Sequence, residues 1–199
     1  AISLLKKSSK GGYSRSFIQL GFMHENGEGV EKNYKKALNF YEKAANLDDG
    51  EGFYSIANIY EKGLGVKKDI KKAFKNYEFA GQKGYLEGFN TLGWYYHQGI
   101  FVPRDYKKAL EYYLKSKENS YALDNLGTLY RLGQGVSPDF KKAIDFYNQS
   151  INIDNENPYP KFHLGLMYLK GYGVKRNVKE AVNLFEISAE LGHYEAANQ

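Results

Sequence analysis

The chain has 199 residues, 26% of them charged, no cysteine, and a formal net charge of +5 from 28 basic and 23 acidic side chains. The missing cysteine excludes disulfides, thiolate catalysis and cysteine-type zinc sites, and the interleaving of both charge signs gives only a weak preference for acidic partners. Mean hydropathy is -0.62 and no apolar run approaches the roughly eighteen residues of a membrane-spanning helix.

In chain order, one pattern then recurs five times. Gly27 stands ten residues before Ala37, and the interval returns with Gly63 and Ala73, Gly99 and Ala109, Gly133 and Ala143, and Gly171 and Ala181. Lys36, Lys72, Lys108 and Lys142 precede the first four alanines, and Glu180 the fifth. The period from Ala to Ala runs 36, 36, 34 and 38 residues, with every change of length after the Lys-Ala helix. Periods of this size mark stacked repeats, in which one supersecondary unit buries its apolar face only against its neighbours.

The second repeat shows the plan. Phe53, Ile56 and Tyr60 follow helical spacing and predict an amphipathic helix, designated A. Gly63-Leu64-Gly65-Val66 ends it, because glycine accepts the left-handed conformation of a helix stop. Asp69 is placed to cap helix B, predicted over Ile70 to about Gln82, with Ala73, Phe74, Tyr77 and Ala80 on one face. Asn33, Asp105, Asp139 and Asn177 hold the same capping place elsewhere.

Helix A carries a column of small residues, Gly21, Ala57, Gly93, Gly127 and Gly165. Three places on stand His24, Tyr60, Tyr96, Tyr130 and Tyr168. A helix-interior glycine is about 1 kcal/mol worse than alanine, so its recurrence predicts a tight helix crossing there.

No linker interrupts the array. It reads as a single stack: a partial repeat at 1-13, repeats at about 14-49, 50-85, 86-119, 120-157 and 158-193, and the start of another at 194-199. Ala1–Ser8 aligns with Ala37–Ala44, and Gly192–Asn198 with Gly84–Asn90, so the native protein is expected to be longer, with any signal peptide or anchor outside this sequence.

The columns Leu-Gly-x-x-Tyr, Gly-x-Gly-Val, a capping Asp, then Lys-Ala and an aromatic resemble the Sel-one-like repeat, a relative of the tetratricopeptide repeat. Leu126-Gly127-Thr128-Leu129-Tyr130 through Val136, and Leu164-Gly165-Leu166-Met167-Tyr168 through Val174, are the clearest matches. The likeness covers essentially the whole chain. His24 takes a tyrosine place, Ala57 a glycine place, and Phe101 the second turn glycine before Val102-Pro103. Some bacterial members carry cysteine pairs that clamp a repeat, and this chain has none. The resemblance implies an all-α fold, an α/α solenoid wound as a right-handed superhelix. It also implies an adaptor for other proteins, in settings such as membrane-protein quality control, cell-wall synthesis and bacterial host interaction.

Chemistry outside the repeat columns is sparse. Gly63 to Lys68 resembles a phosphate loop, but lacks Gly-Lys-Ser/Thr at the helix start and recurs in series as a turn. His24, His97, His163 and His193 lie in separate repeats without ligand spacing, so no metal is expected, and His24 is read as filling the tyrosine slot. No nucleophile or paired-carboxylate constellation stands apart, so neither catalysis nor a cofactor is expected. Lys35, Lys71, Lys107, Lys141 and Lys179 form one column, a potential stripe for nucleic acid or an anionic membrane surface. Glu111 and Asp145 lie one turn beyond their lysines, so a solvated face is preferred. Asn148-Gln149-Ser150 is a sequon that matters only in a lumenal or secreted setting.

By analogy with tetratricopeptide stacks, helix A lines the concave groove through positions three before, one after and four after the small residue. These are Ile18, Phe22 and Glu25; Tyr54, Asn58 and Glu61; Asn90, Trp94 and His97; Asp124, Thr128 and Arg131; Phe162, Leu166 and Leu169. Tyr54 and Trp94 are read as aromatic anchors, Asn58 and Asn90 as groups that grip an extended backbone, with Phe22, His97 and Arg131 completing the candidate set. Phe162, Leu166 and Leu169 are apolar enough to bind a hydrophobic segment or to be covered by a following repeat.

The resulting reading is a non-enzymatic scaffold that binds a protein or peptide partner. The alternative is a targeting or regulatory arm of a larger enzyme or membrane-associated complex. Nucleic acid is not favoured, and self-association is open because solenoid ends expose apolar faces. The sequence specifies neither the partner nor the compartment.

Overall fold

The computed structural model describes residues 13–193. Among them are ten α-helices and no strand: α1 Ser14–Asn26, α2 Tyr34–Ala45, α3 Gly50–Lys62, α4 Ile70–Gln82, α5 Glu87–Gln98, α6 Tyr106–Lys115, α7 Ser120–Leu132, α8 Phe140–Ile153, α9 Tyr159–Lys170 and α10 Val178–Glu190. Odd-numbered helices are the A helices and even-numbered ones the B helices. The partial repeats expected at 1-13 and 194-199 lie essentially outside the described residues.

Local chemistry accounts for the boundaries. Asn33, Asp69, Asp139 and Asn177 each accept a bond from the backbone amide three residues on, at 2.9, 3.0, 2.9 and 3.1 Å, and Asp105 accepts from Lys107 and Lys108. Each satisfies an amide that a helix N-terminus leaves unbonded. The turn glycines stop the A helices: Gly63 has φ 69° and its backbone amide bonds the Ile59 carbonyl. Phe101, in the second turn position, adopts φ 63° without glycine's freedom.

None of these helices exceeds 14 residues, so packing supplies the stability. The chain forms two compact units, 1–92 and 93–199, the division falling within α5. In the first, α1 packs on α2, α2 on α3 and α3 on α4. Its core includes Ile18, Leu38, Tyr41, Ile56 and Ile59. In the second, α6 packs on α7, α7 on α8, α8 on α9 and α9 on α10. Its core is built around Tyr113, Leu126 and Leu129, then Tyr147, Leu164 and Met167, then Phe162 and Phe185.

The close crossing expected at the small-residue column is present. A Cβ on Gly21, Gly93, Gly127 or Gly165 would stand 2.4, 2.6, 2.4 or 2.5 Å from the ring of Tyr41, Tyr113, Tyr147 or Phe185. That is inside van der Waals contact, so each glycine exists to admit an aromatic ring from helix B.

A second column differs between the units. Seven residues past each Lys-Ala or Glu-Ala alanine stand Ala44 and Ala80, then Ser116, Ser150 and Ser188. All five are buried. The serines recover their desolvation by bonding backbone carbonyls, Ser150 Oγ to Ser120 at 2.7 Å and Ser188 Oγ to Pro158 at 2.8 Å.

Candidate protein-binding face

The aromatic column beneath the glycines organises the A-helix face. Tyr41, Tyr77, Tyr113 and Tyr147 are buried, and a buried hydroxyl needs a partner. Each finds one at the positions one or four past the small residue on helix A. Tyr41 donates to Glu25 Oε2 at 2.6 Å. Tyr77 meets Asn58 Oδ1 at 2.8 Å and the Glu61 carboxylate. Tyr113 lies 3.3 Å from His97 Nδ1, and Tyr147 lies 3.3 Å from both Thr128 Oγ1 and Arg131 Nε.

Burial dominates the titration of Tyr41, Tyr113 and Tyr147. It pushes Tyr41 and Tyr113 far up, Tyr41 further through its bond to Glu25. Tyr147 is pushed up to about 12 by burial, with the Thr128 and Arg131 contacts pulling the other way. These three hydroxyls therefore stay neutral at physiological pH.

The candidate residues separate into exposed and internally engaged groups. Phe22 on α1 and Trp94 on α5 are 44% and 42% exposed, so Trp94 is not a core residue. Tyr54 is half-buried, with its ring centroid 5.3 Å from Tyr77 and 5.1 Å from Tyr85. Asn58 and Arg131 are half-buried and engaged with the tyrosine hydroxyls. Asn90, 7% exposed, donates from Nδ2 to Glu87 Oε1 at 3.1 Å. His97, 9% exposed, places Nε2 2.9 Å from Gln134 Oε1, and burial lowers its pKa. Phe162 belongs to the core, with Leu166 and Leu169 packed against the same cluster.

Within the second unit, α5, α7 and α9 border a polar recess. Beyond His97 it is lined by Arg104, Asp124, Thr128, Gln134 and His163. His163 Nδ1 is 2.7 Å from Asp124 Oδ1, a pair linking α9 to α7, and the His163 ring stacks on Tyr147 with centroids 5.2 Å apart. Sequence spacing does not disclose this pair, because its members lie 39 residues apart at different places in their repeats. The tyrosine column is legible, standing four residues past each Lys-Ala alanine, but its hydroxyl partners are not.

The other predicted features occupy their expected places. His24 stacks on Phe40 at 5.6 Å between centroids, as Tyr96 does on Tyr112 at 5.7 Å and Tyr130 on Phe146 at 5.5 Å. Lys35, Lys71, Lys107, Lys141 and Lys179 are all exposed. The adjacent Lys72, Lys108 and Lys142 lie over the rings of Tyr60, Tyr96 and Tyr130 at 4.8, 5.0 and 4.3 Å, covering that column from solvent. Among the described residues there is no group of three or more His, Asp or Glu suited to a metal, and no helix long and apolar enough to cross a membrane.

Comparison with known proteins places this geometry in a family. The Sel1 repeat model matches residues 18–49, 54–85, 91–121, 120–155 and 161–193. A crystallised protective antigen present in uropathogenic Escherichia coli strains, displaying an SLR fold, is 31% identical over 96% of this chain with a TM-score of 0.83. This chain spans 41% of that antigen's length. A Sel1 repeat protein from Oxalobacter formigenes is 26% identical, with a TM-score of 0.83 over 93% of this chain and 76% of its own. An immunity protein from Pseudomonas aeruginosa shares the fold at 20% identity and a TM-score of 0.62, over 96% of this chain and 73% of its own. No curated protein matches the sequence. Sel1 repeat proteins are generally protein-interaction scaffolds. With five matched repeats, ten helices in A and B pairs among the described residues, and glycines that seat the aromatic column, the chain belongs to the Sel1 repeat family.

Proposed function

We propose that the chain is a non-enzymatic scaffold that holds a peptide or protein partner in the groove expected along its A helices. The observation that carries this reading is Trp94, a tryptophan left 42% exposed on a helix whose packing columns do not claim it. Large aromatics that retain exposure beside polar groups are the commonest anchors of protein interfaces. In the first unit, Phe22 and Tyr54 supply apolar contact, with Asn58 beside them. In the second, Trp94 is the anchor and Arg131 the polar contact. Asn90 and His97, buried and hydrogen-bonded, support the face from beneath.

Affinity capture with the wild-type chain beside Trp94→Ala and Tyr54→Ala, read by mass spectrometry, tests this assignment. A bound protein should lose about 30-fold in affinity when its anchor is truncated, the scale of an interface hot spot. Equal capture by all three baits would remove the A-helix face as the interface.

A further inference from the structure

The A-helix face of the first unit carries carboxylates around a phenol. Glu51, Tyr54, Asn58 and Glu61 stand at i, i+3, i+7 and i+10 on α3, the spacing of one helical face, and all four are half-buried. The Tyr54 ring packs on Tyr77 and on Tyr85, with centroids 5.3 and 5.1 Å away. Glu61 accepts from the Tyr77 hydroxyl, and Glu25 of α1 accepts from Tyr41 at 2.6 Å. Both donors are hydroxyls, which leave the carboxylate charge in place.

Among the described residues the two ion pairs are Lys83 with Asp48 and His163 with Asp124, so Glu25, Glu51 and Glu61 have no cationic partner there. Lys43, Lys72 and Lys75 of α2 and α4 lie instead over the rings of Phe40, Tyr60 and Phe79. The phenols of this face register the same imbalance. Burial raises the Tyr41, Tyr54 and Tyr85 phenols, and the Thr91 and Asn58 contacts oppose it at Tyr54. Carboxylates push all three further up: Glu25 and Glu51 at Tyr41, Glu87 and Glu61 at Tyr54, Glu51 and Glu87 at Tyr85. Tyr147 in the second unit differs, meeting Asp124 and Arg131 charges of opposite sign.

We propose that this face of the first unit docks a basic peptide segment, whose Arg or Lys side chains meet Glu51 and Glu61 and lie against the Tyr54 ring. The inference rests on the scaffold reading above and specifies the chemistry of its partner. Charge complementarity selects the occupant. Half-buried carboxylates repel one another more strongly than they would in water, and a cation relieves that repulsion. A phenol face attracts the same cation through its ring electrons. Glu51 and Glu61 lie ten residues apart on α3, about 15 Å at the helical rise, which is too far to share one metal ion. An extended segment spans that distance with about five residues. An acidic segment or a nucleic acid would add negative charge to a face that already carries it.

The test is selection from a random decapeptide bead library by the 199-residue chain, followed by fluorescence anisotropy of the selected peptides. The same titration is run on Glu51→Gln/Glu61→Gln, on Glu51→Gln alone, on Tyr54→Ala and on Trp94→Ala. Glutamine keeps an oxygen for the Tyr77 hydroxyl, and Glu51→Gln leaves that bond untouched; circular dichroism melts confirm that the variants are folded. The expected result is enrichment of Arg and Lys. Affinity should fall about tenfold in the double variant and about threefold in Glu51→Gln. It should also fall about tenfold as salt rises from about 50 to about 300 mM, because these partly exposed charges are screened. Peptides that depend on Tyr54 or Trp94 but not on the two glutamates would overturn the basic assignment and leave the scaffold reading standing. No enrichment, or peptides indifferent to every variant, would overturn both.

Discussion

The fourth and fifth repeats solve one packing problem in two ways. Beneath Gly127, Tyr147 carries a hydroxyl into the helix pair, and α7 answers with Thr128 and Arg131, both 3.3 Å away. Beneath Gly165, Phe185 carries none, and the equivalent positions of α9 are Leu166 and Leu169, packed against the same cluster. The polarity of the A-helix surface is therefore set from below, by whether the buried ring needs a hydrogen-bond partner. Glu25 over the first repeat's tyrosine, and Asn58 and Glu61 over the second's, follow the same rule. A polar residue on this face serves the core first, so in the proposed scaffold a partner would use what capacity is left. Arg131 is the clearest case, with Nε committed to the Tyr147 hydroxyl and no ion-pair partner for its guanidinium among the described residues.

The harshest way to break the comparison is Tyr147→Ala. Truncating a buried aromatic costs about 3–5 kcal/mol, so the denaturation midpoint should fall steeply and the recess should lose the ring on which His163 stacks. An unchanged midpoint would deny Tyr147 its organising place. Exchanging the two solutions is more discriminating. Phe185→Tyr should destabilise by about 1–3 kcal/mol, because the new hydroxyl enters among Leu166 and Leu169 with no acceptor. Adding Leu169→Glu, which reproduces the Tyr77–Glu61 arrangement, should recover part of that loss; an additive or worse double variant would sink the rule. Tyr147→Phe should cost only about 1 kcal/mol, since half-buried Thr128 and Arg131 can turn to water.

The smallest effect is expected from pH, and it sharpens the contrast between repeats whose tyrosine partner titrates and those whose partner does not. Burial holds the His97 pKa below its ordinary value of 6.5. The unfolded chain therefore binds the proton more readily. The stability from neutral His97 is present above pH 6.5 and is lost as pH falls through the folded-state pKa. Melting curves should shift downward below pH 6.5 more for the wild type than for His97→Gln. Equal shifts would assign the pH response to other groups.

Much of the fold was legible because repetition exposes local rules. A capping Asp or Asn acts on an amide three residues away, and a turn glycine acts on its own φ, so both read directly from a short stretch of chain. Helix B of the second repeat was expected from Ile70 to about Gln82 and spans Ile70–Gln82. The groove positions were harder. Their spacing names the face, but Trp94 and His97 stand three residues apart on one helix, and one is exposed while the other is buried. Nothing in their spacing separates them; what separates them is Tyr113 and Gln134, 16 and 37 residues from His97 in the chain.

The sequence by itself determined the repeat, its two helices, their caps and the close crossing at the glycines, because each depends on periodicity or on neighbours within a few residues. Tertiary structure alone decided which polar side chains are consumed inside the protein. It paired Asp124 with His163, set the Tyr147 hydroxyl against Arg131, and left the Arg104 and Arg131 guanidiniums without carboxylates among the described residues. Those outcomes depend on hydrogen-bond geometry between helices, where a few tenths of an ångström and the presence of one hydroxyl decide whether a charge is satisfied or offered to a partner.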